Sequence, residues 1–276
     1  MTTLDEKVDI QVDDQRIAGT FVTPGTLVPG VLFVHGWGGS QDQYLSRARE
    51  VAALGCICLT FDLRGHAQTR TQYETVSRDQ NLRDLLAAYD LLVARRHVDP
   101  QAIAVVGSSY GGYLSAILTA LRPVTWLALR APALYIDTGW ETPKLQLHRD
   151  QDLKGYRRTQ VPAPDNRALR ACQDFNGDVL LVESEFDDII PQSVLASYRE
   201  ASHRARSLTY RCMAGADHGL TQDVHQRAYT SLLVTWLGEM LAHSRQVHAA
   251  DTPAVPATQA PPVPETPPES LPPTHR

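Results

Sequence analysis

Apolar and polar positions alternate near the start of the chain. Val8, Ile10 and Val12 are separated by polar residues, the period of a half-buried edge strand. A second extended run, Gln15 to Thr23, follows Asp13-Asp14, so the pattern predicts an opening hairpin. The rhythm then changes. Val31-Leu-Phe-Val34 and Cys56 to Phe61 are unbroken apolar runs, as expected of strands covered on both faces. Between them, Asp42 to Leu54 reads as a helix closed by Gly55. Within Asn81 to Val93, the residues Leu82, Leu85, Leu86, Tyr89, Leu92 and Val93 form one helical stripe. Strand Ala102–Val106, helix Tyr110–Leu121 and strand Val124–Leu129 follow. Strand Val179–Val182, helix Gln192–His203, strand Leu208–Cys212 and helix Gln222–His243 complete the series. Such alternation predicts an α/β fold, a mostly parallel sheet with helices on both faces.

Two stretches break the pattern. From Pro132 to Asn176 no period is strong, and the stretch is too long for an ordinary connection. It is read as a small cap over a site, against the plainer reading of a surface insertion. Its aromatic residues Tyr135, Trp140 and Tyr156 are candidates to line a substrate pocket. From Gln246 to Arg276 the chain holds half of its 18 prolines. Proline lacks the donor N–H that helices and central strands need, so this stretch is expected to be a disordered tail. A solvated terminus is the plain reading, and a docking site for a proline-recognising domain the sharper one. The expected division is a globular domain over 1–245, with 132–176 as the cap, and a tail over 246–276.

With 276 residues, the chain is long enough for one sizeable α/β domain. A net charge of −5 argues against a nucleic-acid partner, which would call for a basic face. The N-terminus lacks a basic start followed by an apolar core, and no apolar run approaches the roughly 20 residues of a spanning helix. The expected location is therefore the cytoplasm. The four cysteines Cys56, Cys58, Cys172 and Cys212 are expected to be reduced and mostly buried; they form no zinc pattern.

Gly107-Ser108-Ser109-Tyr110-Gly111 carries the chemistry. A G-x-S-x-G pentapeptide alone is weak. Here it joins a predicted strand to a predicted helix, the setting of a nucleophile elbow with Ser109 at its tip. A serine hydroxyl needs a base. Of ten histidines, His218 lies in a glycine-flanked loop just past a strand, at the carboxyl edge of the sheet where ligands bind. His203, His225 and His243 fall on helices, and His66 is read as structural. The base needs an orienting carboxylate. Asp187, in the loop after Val179–Val182, is the first choice, Asp188 the second and Asp217 a weaker third. His35-Gly-Trp-Gly-Gly39 follows a strand, so the backbone N–H of Trp37 is a candidate oxyanion donor, together with that of Tyr110.

His35-Gly-Trp-Gly-Gly39, Asp62-Leu-Arg-Gly65, Gly107-Ser-Ser-Tyr-Gly-Gly112, Asp187-x-x-Ile-Pro191 and Asp217-His-Gly219 together resemble the α/β-hydrolase superfamily. The nearest likeness is to its dienelactone-hydrolase-like and esterase branches, over about residues 5–243. The resemblance implies an eight-stranded, mostly parallel sheet and a triad of Ser109, Asp187 and His218. It selects Asp187 as the residue three positions before Ile190. Gly-x-Ser-Tyr-Gly-Gly also resembles the catalytic domain of prolyl-oligopeptidase-type peptidases, which usually carry a β-propeller that nothing here could supply. One departure is Ala67, where the family often has glycine. The expected activity is a serine hydrolase acting on a carboxylic ester, thioester or lactone of a small-molecule acyl substrate. A small peptidase or amidase, an acyltransferase and a non-catalytic binding protein are the alternatives. No phosphate loop or metal-ligand cluster is present, so no cofactor is expected.

Overall fold

The computed structural model describes residues 4–23 and 28–251. The chain opens with the antiparallel hairpin β1 (Leu4–Val12) and β2 (Gln15–Thr23), turning at Asp13 with φ 52°. Six more strands follow: β3 (Val28–Val34), β4 (Ile57–Phe61), β5 (Val98–Ser108), β6 (Trp126–Arg130), β7 (Asp178–Phe186) and β8 (Ser207–Asp217). They form one eight-stranded sheet in the order β1-β2-β4-β3-β5-β6-β7-β8. Only the pairings of β1 with β2 and of β2 with β4 are antiparallel. This is the α/β-hydrolase fold that the motifs imply.

The unbroken apolar runs are explained by two cores. Leu32, Ile103, Val105, Leu127, Leu129, Val179 and Leu181 enter one core with helices α2 (Arg78–Val93), α3 (Tyr110–Leu118), α6 (Arg167–Asp174) and α7 (Gln192–Ala201). Their neighbours Val31, Phe33, Ala104, Val106, Ala128, Leu180 and Val182 enter the other, with α1 (Leu45–Ala52) and α8 (Asp223–Asp251). Successive side chains of a strand point to opposite faces, so a strand covered on both sides must be apolar throughout. Cys56 and Cys58 share the second face, as their spacing requires, and both are buried with Cys172, whereas Cys212 is exposed.

Local signals set the element ends. α2 begins at Arg78, three residues before the stretch Asn81 to Val93 that predicts it, because Ser77 and Gln80 form a capping box. Gly55, at φ 94°, ends the turn after α1. The stretch 132–176 holds α4 (Lys144–Asp150), α5 (Leu153–Arg157) and α6. Leu169 and Cys172 of α6 lie in the main core, so this helix belongs to the layer on the sheet and the irregular part is shorter than expected. α8 runs to Asp251, past the expected start of the tail at 246. The rest of the proline-rich stretch, 252–276, lies outside the described residues. Among the described residues, no helix is long and apolar enough to cross a membrane.

Candidate active site

β5 ends at Ser108 and α3 begins at Tyr110, leaving Ser109 alone at the turn with φ 51° and ψ −118°. That conformation is costly for any residue with a side chain and persists only where its surroundings fix it. Three backbone bonds do so. Ser109 N–H donates to the Arg130 carbonyl at 2.9 Å, and the Ser109 carbonyl accepts from Ala133 at 2.9 Å and Tyr113 at 3.1 Å. The flanking Gly111 is required by space. A Cβ there would land against the carbonyl oxygens of Val34 and His35. We expect Gly111→Ala to destabilise the fold by several kcal/mol, since backbone cannot yield as a side chain can; a urea midpoint unchanged from the parent would contradict this close approach.

β8 delivers His218 to the same edge. Its Nε2 lies 3.0 Å from Ser109 Oγ, and its Nδ1 lies 2.7 Å from Asp187 Oδ2. The other Asp187 oxygen, Oδ1, accepts from the N–H groups of Ile189 at 3.0 Å and Ile190 at 2.7 Å. The carboxylate is thereby aimed, and its side chain is 4% exposed. Asp188 is exposed. Asp217 is occupied elsewhere, accepting from Thr221 N and Oγ1 at 2.9 and 2.6 Å. Ser109, His218 and Asp187 are thus brought together in the expected arrangement, and the two other aspartates are not.

The Gly36–Gly39 turn faces this group. Gly38 N–H donates to His66 Nε2 at 2.9 Å and Gly39 N–H to the Gly36 carbonyl at 3.0 Å. Trp37 lines the cavity at Ser109. The Tyr110 N–H is the first of a helix and has no helical partner. The turn is held by the Asp62–His66 segment behind it. Leu63 N–H donates to His35 Nε2 at 3.0 Å, while His35 Nδ1 faces the Gly36 carbonyl at 2.8 Å. Asp62 accepts from Gln41 N and Nε2 at 2.8 and 3.0 Å, and Arg64 pairs with the buried Asp84 through Nε at 2.5 Å. His66 is structural, as expected. Ala67 sits at φ 44°, which explains why glycine suits this place. Ala67→Gly should stabilise the protein by about 0.5–1 kcal/mol, because relief of left-handed strain exceeds the added chain entropy; a urea midpoint that falls would contradict it.

His35 and His66 each accept a backbone N–H on one nitrogen, so neither can be protonated without setting donor against donor. Burial pulls both imidazoles down to about 4, with their mutual proximity adding to the effect on His66. Above pH 6.5, the ordinary histidine value, both are neutral in either state. As pH falls from there towards 4, the unfolded chain binds protons that the folded chain refuses, and their contribution to stability is lost. In urea titrations across this window, His66→Asn should show a shallower loss of stability on acidification than the parent. An identical slope in both proteins would remove His66 as a cause.

The cavity beside Ser109 has a volume of about 320 Å³. Trp37, Tyr44, Arg47, Arg130, His218 and Leu220 are among its walls. The expected lining residues Tyr135, Trp140 and Tyr156 are not, which corrects the sequence reading. Tyr135 is 3% exposed and packs on Tyr113 with ring centroids 4.9 Å apart. The Trp140 ring carries the Arg78 and Arg167 guanidinium groups at 4.9 and 4.6 Å. The Tyr156 hydroxyl accepts from Asn166 Nδ2 at 3.2 Å. Tyr135 and Trp140 shelter the buried Arg78, and all three rings join the irregular segment to the core. The sequence reading missed Arg47 and Arg130. Both carried a signal: Arg47 adjoins the inward residues Ala48 and Val51 of α1, and Arg130 ends the apolar run of β6 at the edge that bears Ser109.

An open, mostly parallel sheet with a strained serine at the β5–α3 turn, facing a histidine–aspartate pair, defines a hydrolase of the α/β class. The chain belongs to the prolyl oligopeptidase family, Peptidase_S9, whose model matches residues 43–244. No curated protein matches it by sequence. Among solved structures, it is similar to a dienelactone hydrolase from Anabaena variabilis, at 19% identity and TM-score 0.62, covering 85% of this chain and 96% of that one. It is also similar to Est1E from Butyrivibrio proteoclasticus, solved with ferulic acid bound, at 15% identity and TM-score 0.67, covering 85% and 99%. An acylaminoacyl peptidase from Pyrococcus horikoshii matches at 15% identity and TM-score 0.63, covering 86% of this chain and 41% of that one. At these identities the likeness is one of fold.

Proposed function

We propose that the protein is a serine hydrolase that cleaves a carboxylic ester, thioester or lactone through an acyl-enzyme. The observation that carries this reading is the chain of contacts from Ser109 Oγ to His218 Nε2 at 3.0 Å and from His218 Nδ1 to Asp187 Oδ2 at 2.7 Å. With a carboxylate at Nδ1, the neutral ring keeps its proton there and leaves Nε2 free to accept. Ser109 Oγ attacks the substrate carbonyl carbon while its proton passes to Nε2. The carbonyl oxygen takes up the negative charge and is met by the N–H groups of Trp37 and Tyr110, each worth about 10²–10³ in rate. The positive end of α3 adds to that field. The C–O, or C–S, bond to the leaving group then breaks, and His218 returns the proton to it. Water repeats the sequence on the acyl-Ser109 and frees the acid.

A fluorophosphonate probe tests the reading. It should label the parent and fail to label Ser109→Ala; equal labelling of both would defeat it. Membership of the prolyl oligopeptidase family favours a second reading, cleavage of an amide by the same residues. Rates on matched nitrophenyl esters and nitroanilides separate the two, the first reading requiring that the anilide be the much poorer substrate. A cytoplasmic location is inferred as well, supported by the lack of any disulfide among the four cysteines, all of them described residues.

A further inference from the structure

The cavity at Ser109 is built for negative charge. Its walls include two arginines and no aspartate or glutamate. Arg47 is 8% exposed and Arg130 7%. Among the described residues, neither forms an ion pair. Arg47 donates to Thr230 Oγ1 at 3.1 Å and the Gln43 carbonyl at 3.2 Å. Arg130 donates to the His218 carbonyl at 2.8 Å and to the hydroxyls of Ser184 and Ser108, each at 3.4 Å. All of these acceptors are neutral. Nη2 of each guanidinium makes no hydrogen bond within the described residues, yet neither is among the sealed polar atoms. Both groups, which line the cavity, therefore keep a donor that is neither bonded nor sealed.

Physical cost makes this arrangement informative. A guanidinium removed from water without a counter-charge is destabilising by several kcal/mol. Here two such cations flank one ring, at 5.1 and 5.8 Å from the Tyr229 centroid, and repel one another. Arg64 shows the usual remedy, a buried carboxylate from Asp84. Arg78 and Arg157 are also buried without a carboxylate, but they do not line this cavity. Glu50 and Asp223 share a separate surface cleft with Arg47 and pair with neither arginine. The chain as a whole is acidic, at net charge −5, so the positive cavity is a local feature.

We propose that the substrate carries an oxyanion, a carboxylate or a phosphate, that settles between Arg47 and Arg130 while its acyl carbon faces Ser109. A guanidinium meets such a group through two parallel N–H···O bonds, which fixes orientation as well as affinity. Seated there, the oxyanion supplies the charge that the walls lack. A ligand with a free ammonium group would meet two cations and no carboxylate. That the anion is part of a substrate rests on the hydrolase reading above; that the cavity binds it does not.

The test has two arms. In the first, succinate and inorganic phosphate are titrated calorimetrically into the full chain bearing Ser109→Ala. At least one should bind with a dissociation constant below about 1 mM, and adding Arg47→Gln should weaken it at least about tenfold, a change of roughly 1.4 kcal/mol. Gln226→Glu is the second variant. Gln226 is exposed on α8 and lines the cavity, so a carboxylate there should compete for the arginines without disturbing the core. In the second arm, the kcat/KM of mono-nitrophenyl succinate is divided by that of nitrophenyl butyrate. The ratio should exceed about ten in the parent and fall towards one in Arg47→Gln and Gln226→Glu. Binding of succinate alone assigns a carboxylate, and of phosphate alone a phosphate. No binding of either, or binding and ratio untouched by both variants, overturns the proposal. Arginine-dependent binding without turnover of any ester would instead remove the hydrolase reading and leave the oxyanion site standing.

Discussion

Ser109→Ala should abolish ester turnover while leaving the fold in place. Loss of a triad serine costs on the order of 10⁶ in kcat in a well-measured case, because base and acid then have no nucleophile to serve. The backbone explains why the fold should survive. The strained turn is held by the amides and carbonyls of Ser109, Arg130, Ala133 and Tyr113, none of which the substitution removes. Alanine bears the same left-handed penalty as serine at φ 51°. Burst-free steady-state rates on one activated ester, with circular dichroism as the control, decide the matter. Residual activity above about one part in 10³ would point to another nucleophile.

Asp187→Asn should cost about 10⁴ in rate, the loss seen when a triad aspartate becomes an amide. The hydrogen bonds specify how. Oδ1 of Asp187 is committed to Ile189 and Ile190, so an asparagine would keep its oxygen there and turn its NH₂ towards His218. A donor facing Nδ1 forces the ring's proton onto Nε2, where it can no longer accept from Ser109. Asp188→Asn should lower the rate far less, since Asp188 is exposed and touches neither His218 nor the cavity at Ser109. Turnover of both variants on the same ester at one pH separates them. A dead Asp188 variant beside an active Asp187 variant would shift the acid by one position.

What could be read from the sequence follows from what is local. Val31–Val34 and Ala102–Val106 announce strands covered on both faces, because alternation is abolished only when both sides are dry. The elbow is legible because strand, small residues and helix adjoin within a few positions. The Ser77–Gln80 capping box is equally local, and it places the start of α2 where the apolar stripe alone does not. The polar end of β7 from Glu183 and the small-residue end of β8 from Met213 look like loop and continue as strand because each pairs with the other. Arg47 and Arg130 were illegible as a pair: they are 83 positions apart in sequence, and only the packing of α1 and α8 beside the edge of β6 brings both to one cavity. The aromatic residues of 132–166 belong to a segment without a period, so nothing local tells which way each ring turns.

The sheet order also governs when the site can exist as the chain is synthesised. β5, at the centre, carries the serine; the base comes from β8, which pairs only with β7 at the far edge. The last of the three triad residues to emerge is therefore also the one whose strand docks last in spatial order. A nascent chain that has folded through β7 presents Ser109 and Asp187 with no imidazole between them, and the α1 face of the sheet still lacks Leu233 and Trp236 of α8. Domains tend to assemble as units once their chain is available. Ser109 thus has no imidazole beside it until β8 docks and closes that edge of the sheet.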